Sequence, residues 1–155
     1  MQLTDILELN CVKVPLQATE KTAAIKELVD LLDQNVHFKD YDAVLRAVME
    51  REAIRSTGVG QGFAIPHGKT NTVDRIYMAV GKLNDPIDFK SIDGQMVTII
   101  VLLVSPLDQT GPHIQVLARI SRLMTDKKMR NALWACHSAE ELFQLFSNYN
   151  HHDTE

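Results

Sequence analysis

The sequence predicts an α/β fold, a single domain in which a mixed β-sheet is flanked by helices on both sides. Three observations point there. Stretches with helical periodicity alternate with short β-branched stretches along the chain. One of the latter, "MVTIIVLLVS" (Met96–Ser105), is apolar at odd and even positions alike, which suits a central strand covered on both faces. The length, 155 residues, is enough for one core and too short for two ordinary domains.

Taken in order, the first helix is expected from Thr19 to Asn35, where Ile25, Leu28, Val29, Leu31 and Leu32 recur three and four residues apart behind Thr19 as the cap. A second begins after Asp40 as its N-cap, with Tyr41, Val44, Leu45 and Val48 on one face. It runs into the charged segment Glu50–Arg55 and brings Arg51 close to a glycine-rich stretch. "RIYMAVGK" (Arg75–Lys82) reads as a strand between polar segments. Met96–Ser105 reads as the centre of the sheet, ended by Pro106. A third helix starts near Pro112, with His113 in its first turn and Ile114, Leu117, Ile120, Leu123 and Met124 as its apolar side. Ser138 and Glu141 form an S-x-x-E capping box ahead of Leu142, Phe143, Leu145 and Phe146, which marks the last helix.

Composition excludes several function classes. Sixteen Lys and Arg against twenty Asp and Glu leave a net charge of -4, so no overall positive field draws nucleic acid. The longest apolar run, Val97–Val104 interrupted by Thr98, falls well short of the roughly 20 residues of a membrane-spanning helix, and no membrane insertion is expected. "MQLTDILELN" carries Asp5 and Glu8 and lacks the basic head and apolar run of a secretory signal, which predicts a cytoplasmic protein. Cys11 and Cys136 stand alone, without metal-ligand spacing, and are expected to be reduced packing residues. No cofactor and no metal are implied.

The chemistry concentrates in "GVGQGFAIPHGK", Gly58–Lys69. Glycines 58, 60 and 62 permit a turn with positive φ and a close approach of backbone N–H groups to a ligand, so an anion is a candidate occupant. Dinucleotide binding is rejected, because "FAIPHG" follows where a Rossmann fingerprint needs a helix. Pro66 holds Ile65 extended and fixes its own φ, which presents His67 from a stiff segment at a strand end.

"REAIRSTGVGQGFAIPHGK", followed by "SIDGQMVTIIVLLVSP" and "GPHIQVLARISRL", resembles the fructose/mannitol-type IIA domain of the bacterial phosphotransferase system (PTS), a phosphocarrier family. The likeness runs in order from about Leu3 to Tyr149. It implies a IIA domain of this type over residues 3–149, and residues 150–155 are expected to be a frayed tail. The wording "STGVGQGFAIPHGK" is closest to the nitrogen-regulatory branch. The resemblance implies that His67 accepts a phosphoryl group from an HPr-like phosphohistidine protein, with Nε2 attacking. A IIB domain then takes the group for sugar uptake, or its presence acts as a regulatory signal to a target protein. His113 and Arg51 match the family's other two active-site positions.

These residue types suit that chemistry. A neutral imidazole is abundant near pH 7 and needs no separate base, and its other nitrogen should donate to a fixed acceptor that sets the tautomer. Phosphoryl transfer asks the protein mainly for positioning and charge stabilisation. Arg51 offers a permanent, forked cation, or else a solvated charge at a helix end. His113 at a helix start is either a phosphate-facing donor or an incidental cap. The Thr57 hydroxyl either touches phosphate or bonds local backbone. Asp93-Gly94 is assigned to a turn, since a carboxylate beside a phosphohistidine would repel it. An apolar docking patch is expected around His67, with Phe63, Ile65 or the third helix contributing. A metal hydrolase is disfavoured, because neither H-x-x-x-H nor H-E-x-x-H occurs.

Overall fold

Helix α1 (Lys21–Val36) starts on Glu20, not on Thr19: the Glu20 carboxylate accepts the backbone N–H groups of Thr22 and Ala23 at 3.1 and 2.7 Å. A carboxylate there satisfies orphan donors as a hydroxyl would and places negative charge at the positive end of the helix dipole. Asp40 caps α2 (Tyr41–Ile54) through the Ala43 N–H, as its sequence suggests. Helix α3 (Thr110–Thr125) begins two residues ahead of Pro112, so the proline sits in the first turn, where its missing N–H costs nothing. Helix α4 (Lys127–Ala135) was not expected; of its nine residues only Leu133 is fully buried, too little apolar patterning to read. Helix α5 (Ala139–Asp153) follows the Ser138–Glu141 box, in which the Glu141 N–H donates to Ser138 Oγ at 3.1 Å.

This computed structural model describes residues 2–153. The α5 backbone continues to Asp153, whereas the end of the tail expected to fray, residues 154–155, lies outside the described residues.

Six strands form one mixed sheet: β1 (Val12–Leu16), β2 (Gly58–Gly60), β3 (Phe63–Ala64), β4 (His67–Thr70), β5 (Tyr77–Ile87) and β6 (Val97–Pro106). Strand β1 escaped the sequence reading because it is short and contains Pro15; it lies at the sheet's edge, paired only with β5, where a residue without an N–H is tolerated. Strands β5 and β6 are antiparallel, with Val80 opposite Val101. Every residue of β6 from Ile99 to Pro106 is buried, odd and even alike, so both faces of this central strand are covered. Helices α1 and α2 pack together on β4 and β5, while α3, α4 and α5 pack in series.

The segment that presents His67 is itself strand. Segments β3 and β4 lie along the same edge of β6, parallel to it and without a register slip: Phe63 is opposite Ile99 and His67 opposite Leu103. Pro66 interrupts the ladder because it has no N–H to donate, yet its carbonyl still accepts the Leu103 N–H at 3.1 Å. The core is one cluster running from Leu3 through β6 to Phe146.

Candidate functional site

Alternation along β4 decides what His67 faces. Gly68 and Thr70 are buried, and Gly68 lies against α2 so closely that a Cβ there would be 2.9 Å from the carbonyl carbon of Ala47 and from Val48 N. His67 and Lys69 therefore face the opposite side of the sheet, where α3 begins. His67 Nδ1 lies 2.8 Å from the Ile65 carbonyl oxygen. A carbonyl only accepts, so Nδ1 carries the proton and Nε2 keeps a free lone pair. Burial lowers the proton affinity of His67 below the ordinary 6.5. The Ile65 carbonyl and Glu52 oppose that shift, whereas the charges of Arg51 and Lys69 reinforce it. The ring is neutral at pH 7.

His113 is buried, and its ring centroid lies 5.4 Å from that of His67 with the planes inclined at 57°. Its Nδ1 is 2.6 Å from Ser105 Oγ, also fully buried, at the end of β6. The Ser105 hydroxyl has no other hydrogen-bond partner among the described residues. Its proton is satisfied by donating to Nδ1, which leaves the proton of His113 on Nε2. Burial, then the neighbouring His67 and Lys69, push His113 down to about 4. The site thus holds one imidazole with a free lone pair beside a second, neutral imidazole with an N–H to give.

The remaining expected residues fall differently. Arg51, in the last turn of α2, donates from Nη1 to the Arg55 carbonyl at 2.9 Å, and its charge is felt at His67. Thr57 is buried, and its hydroxyl donates to Glu52 Oε1 at 2.6 Å, so that proton is committed neither to local backbone nor to a ligand. Lys69, beside His67 on β4, donates to Thr110 Oγ1 at 3.3 Å.

Two expectations are corrected. Gly60 and Gly62 do adopt positive φ, +101° and +85°, with Gln61 between them at 59°, but the turn holds no open anion cradle. The Gln61 N–H donates to Asp93 Oδ2 at 3.0 Å, and Asp93 Oδ1 accepts the Gln95 N–H, so the protein's own carboxylate occupies the turn. That also accounts for Asp93-Gly94 as turn chemistry. The glycine turn lies beyond the Phe63 end of the strand line, with Gly62 about 17 Å from His67 at roughly 3.3 Å per residue. The second correction concerns the apolar patch: Phe63 and Ile65 are buried in the core. Exposed apolar side chains include Ile114, next to His113; Ile54, three residues after Arg51; Leu107, whose carbonyl accepts the Thr110 hydroxyl; and Ile92, whose N–H bonds the Gly58 carbonyl.

Sequence reasoning missed Glu52, Ser105 and Lys69. Ser105 carried a usable signal, a hydroxyl closing an otherwise apolar central strand eight residues before a histidine. Lys69 had another, since i and i+2 of a strand share a face. Among the described residues no three His, Cys, Asp or Glu side chains cluster as metal ligands, and no helix is long and apolar enough to cross a membrane.

Comparison with known proteins adds the following. Residues 5–149 match the family model described as "Phosphoenolpyruvate-dependent sugar phosphotransferase system, EIIA 2". A nitrogen regulatory protein of Bradyrhizobium diazoefficiens is 33% identical over 151 residues, covering 95% of this chain and 95% of that protein. The fructose-specific EIIABC component of Bacillus subtilis is 31% identical over 153 residues; the match takes in 99% of this chain but only 24% of that longer protein. Among solved structures, nitrogen regulatory protein IIA-Ntr from Neisseria meningitidis superposes with a TM-score of 0.84 at 30% identity, over 92% of this chain and 97% of that one.

Proposed function

The chain belongs to the phosphoenolpyruvate-dependent sugar phosphotransferase system EIIA 2 family, and from that premise we propose that it is a phosphocarrier whose acceptor is Nε2 of His67. The observation that carries this reading is the Ile65 carbonyl on Nδ1, which fixes the tautomer with Nε2 unprotonated. In the forward step that lone pair attacks the phosphorus of an HPr-like phosphohistidine protein. The new P–N bond forms as the carrier's P–N bond breaks, and the electron pair of the broken bond returns to the carrier's ring nitrogen. No proton leaves His67, because Nδ1–H stays on the Ile65 carbonyl. The positive charge this places on the ring lies against the negative phosphoryl oxygens. His113 Nε2–H and the Arg51 guanidinium serve as donors to those oxygens. Thr57 supports the site from behind. The exposed Ile54, Ile92 and Ile114 provide apolar contact for the docked carrier.

The test is a reconstituted relay of phosphoenolpyruvate, the first phosphotransferase enzyme and its phosphohistidine carrier. Wild type gains one acid-labile phosphoryl group, localised to His67 by mass spectrometry under non-acidic conditions, and His67→Ala gains none. A folded wild type that stays unmodified overturns the reading.

Onward use divides into two. A IIB domain takes the phosphoryl group in sugar uptake, or the group itself switches contacts with a regulatory target. Relatives matched along nearly their whole length include both a nitrogen regulatory protein and a fructose-specific EIIA component, so each use has a full-length counterpart. Discharge of the phosphorylated chain by a IIB domain encoded beside it, against retention of the group, separates the two. We place both uses in the cytoplasm, where the relay's carriers operate.

A further inference from the structure

Glu52 is the one buried carboxylate among the described residues, and its partners are fully assigned. Oε1 accepts the Thr57 hydroxyl at 2.6 Å; Oε2 accepts the Thr57 N–H at 2.8 Å and the Lys21 ammonium at 2.9 Å. Lys21, the first residue of α1, lies 4.9 Å from the centroid of the Phe89 ring, and the Phe89 carbonyl accepts the Ser56 hydroxyl at 2.6 Å. The end of α2, the start of α1, residues 56–57 and the β5–β6 connection therefore meet at this carboxylate.

From there a continuous run of hydrogen bonds leads to the acceptor histidine. Glu52 holds Thr57 at two points; the Thr57 carbonyl accepts the Ile65 N–H at 3.0 Å; the Ile65 carbonyl accepts His67 Nδ1–H at 2.8 Å. The Thr57–Ile65 bond extends the β2–β3 pairing of Gly58 with Ala64 by one step, so Glu52 anchors the free end of a short ladder whose other side is held by β6. Arg51, the neighbour of Glu52 on α2, is held separately, through its Nη1 bond to the Arg55 carbonyl.

We infer that Glu52 is a positioning residue for phosphoryl transfer: through Thr57 and Ile65 it sets the orientation of the His67 ring. This inference rests on the phosphocarrier reading for its kinetic consequence, but its effect on the ring is independent of that reading. The charged and titratable groups around His67 are Arg51 and Glu52 from α2, Lys69 on its own strand and His113 from α3. Glu52 is the only anion among them.

The experiment compares full-length wild type with Glu52→Gln, Thr57→Val and Thr57→Ser. In the reconstituted relay, Glu52→Gln and Thr57→Val should each slow phosphoryl acceptance about 10- to 100-fold, the usual cost of losing an orienting partner, with the KM for the carrier little changed. Thr57→Ser, which keeps the hydroxyl, should restore near wild-type rates. The double variant should be no slower than the worse single one, because both act through one linkage. Imidazole NMR provides a readout that needs no phosphoryl transfer. In Glu52→Gln the His67 titration should move to lower pH, since an anion has been removed, and the Nδ1–H resonance should exchange faster.

Glu52→Gln with wild-type kinetics and an unmoved His67 titration overturns the inference. If Glu52→Gln does not fold, the Thr57 pair decides: equal rates for Val and Ser overturn it, and loss with Val rescued by Ser upholds it. A wild type that accepts no phosphoryl group overturns the phosphocarrier reading instead, and the NMR titration still judges the role of Glu52.

Discussion

His113 shows how one side chain can be tied to both stability and chemistry. Its position in the apolar stripe of α3 is a core position, and it remains neutral there because protonation would oppose burial and displace the Ser105 hydroxyl from Nδ1. In the unfolded chain the same ring binds a proton near 6.5, whereas in the folded chain it does so only near 4. Between these values the unfolded state holds more protons, so stability falls as pH falls through the window and is level above it. The contribution is about 3 kcal/mol if the whole shift is expressed. Denaturant unfolding at pH 7.5 and pH 4.5 should show the loss, and His113→Gln should lose less between the two pH values than wild type. The sequence marked His113 but assigned Ile114 to the buried side. The structure turns Ile114 to solvent at 58% exposure and gives the inward place to the histidine. Hydrophobic periodicity cannot find a polar residue that is buried because a hydroxyl on another element satisfies it. Thr57 misled for a related reason: its partner, Glu52, is a side chain five residues back in the last turn of α2, a contact that apolar periodicity does not register.

At the scale of elements, the packing of β4 under α2 leaves no room for a side chain at position 68. Gly68→Ala would drive a methyl group into the Ala47–Val48 backbone, which cannot rotate aside as a side chain can. The expected loss is about 1–3 kcal/mol by thermal or denaturant unfolding. Because the strand would be displaced, the His67 Nδ1–H resonance should shift as well. Long, periodic or wholly apolar elements were legible from the sequence: α1, α2, α3, α5 and β6 stand within a few residues of their expected limits. Short ones were not. Strand β1 is masked by Pro15, α4 carries one fully buried side chain, and β3 with β4 is split by Pro66, so each lacks the repeated pattern that periodicity requires. Pro66 does lie in an extended segment that leads into His67, a strand in register on either side of the proline.

Across the whole molecule, the sandwich was readable because a ten-residue strand apolar on both faces admits few other architectures. The pairing of β6 with two separate short segments was not readable, since long-range partners leave no local mark. This pairing makes the fold cooperative: residues 12–16, 58–70 and 77–87 all depend, directly or through a neighbour, on β6. A chain ending at Gln95 should accordingly lack a cooperative thermal transition and protected amides over 63–70, measured by circular dichroism and hydrogen exchange. Retention of either would show that the sheet assembles without its centre.

The Leu103 N–H on the Pro66 carbonyl has one more consequence, for the protein's synthesis. A polypeptide still emerging from the ribosome has made His67 well before Leu103, Ser105 and His113, and until those arrive the histidine has no ladder to seat it. On the phosphocarrier reading proposed above, the growing chain would accept no phosphoryl group until the sheet is complete.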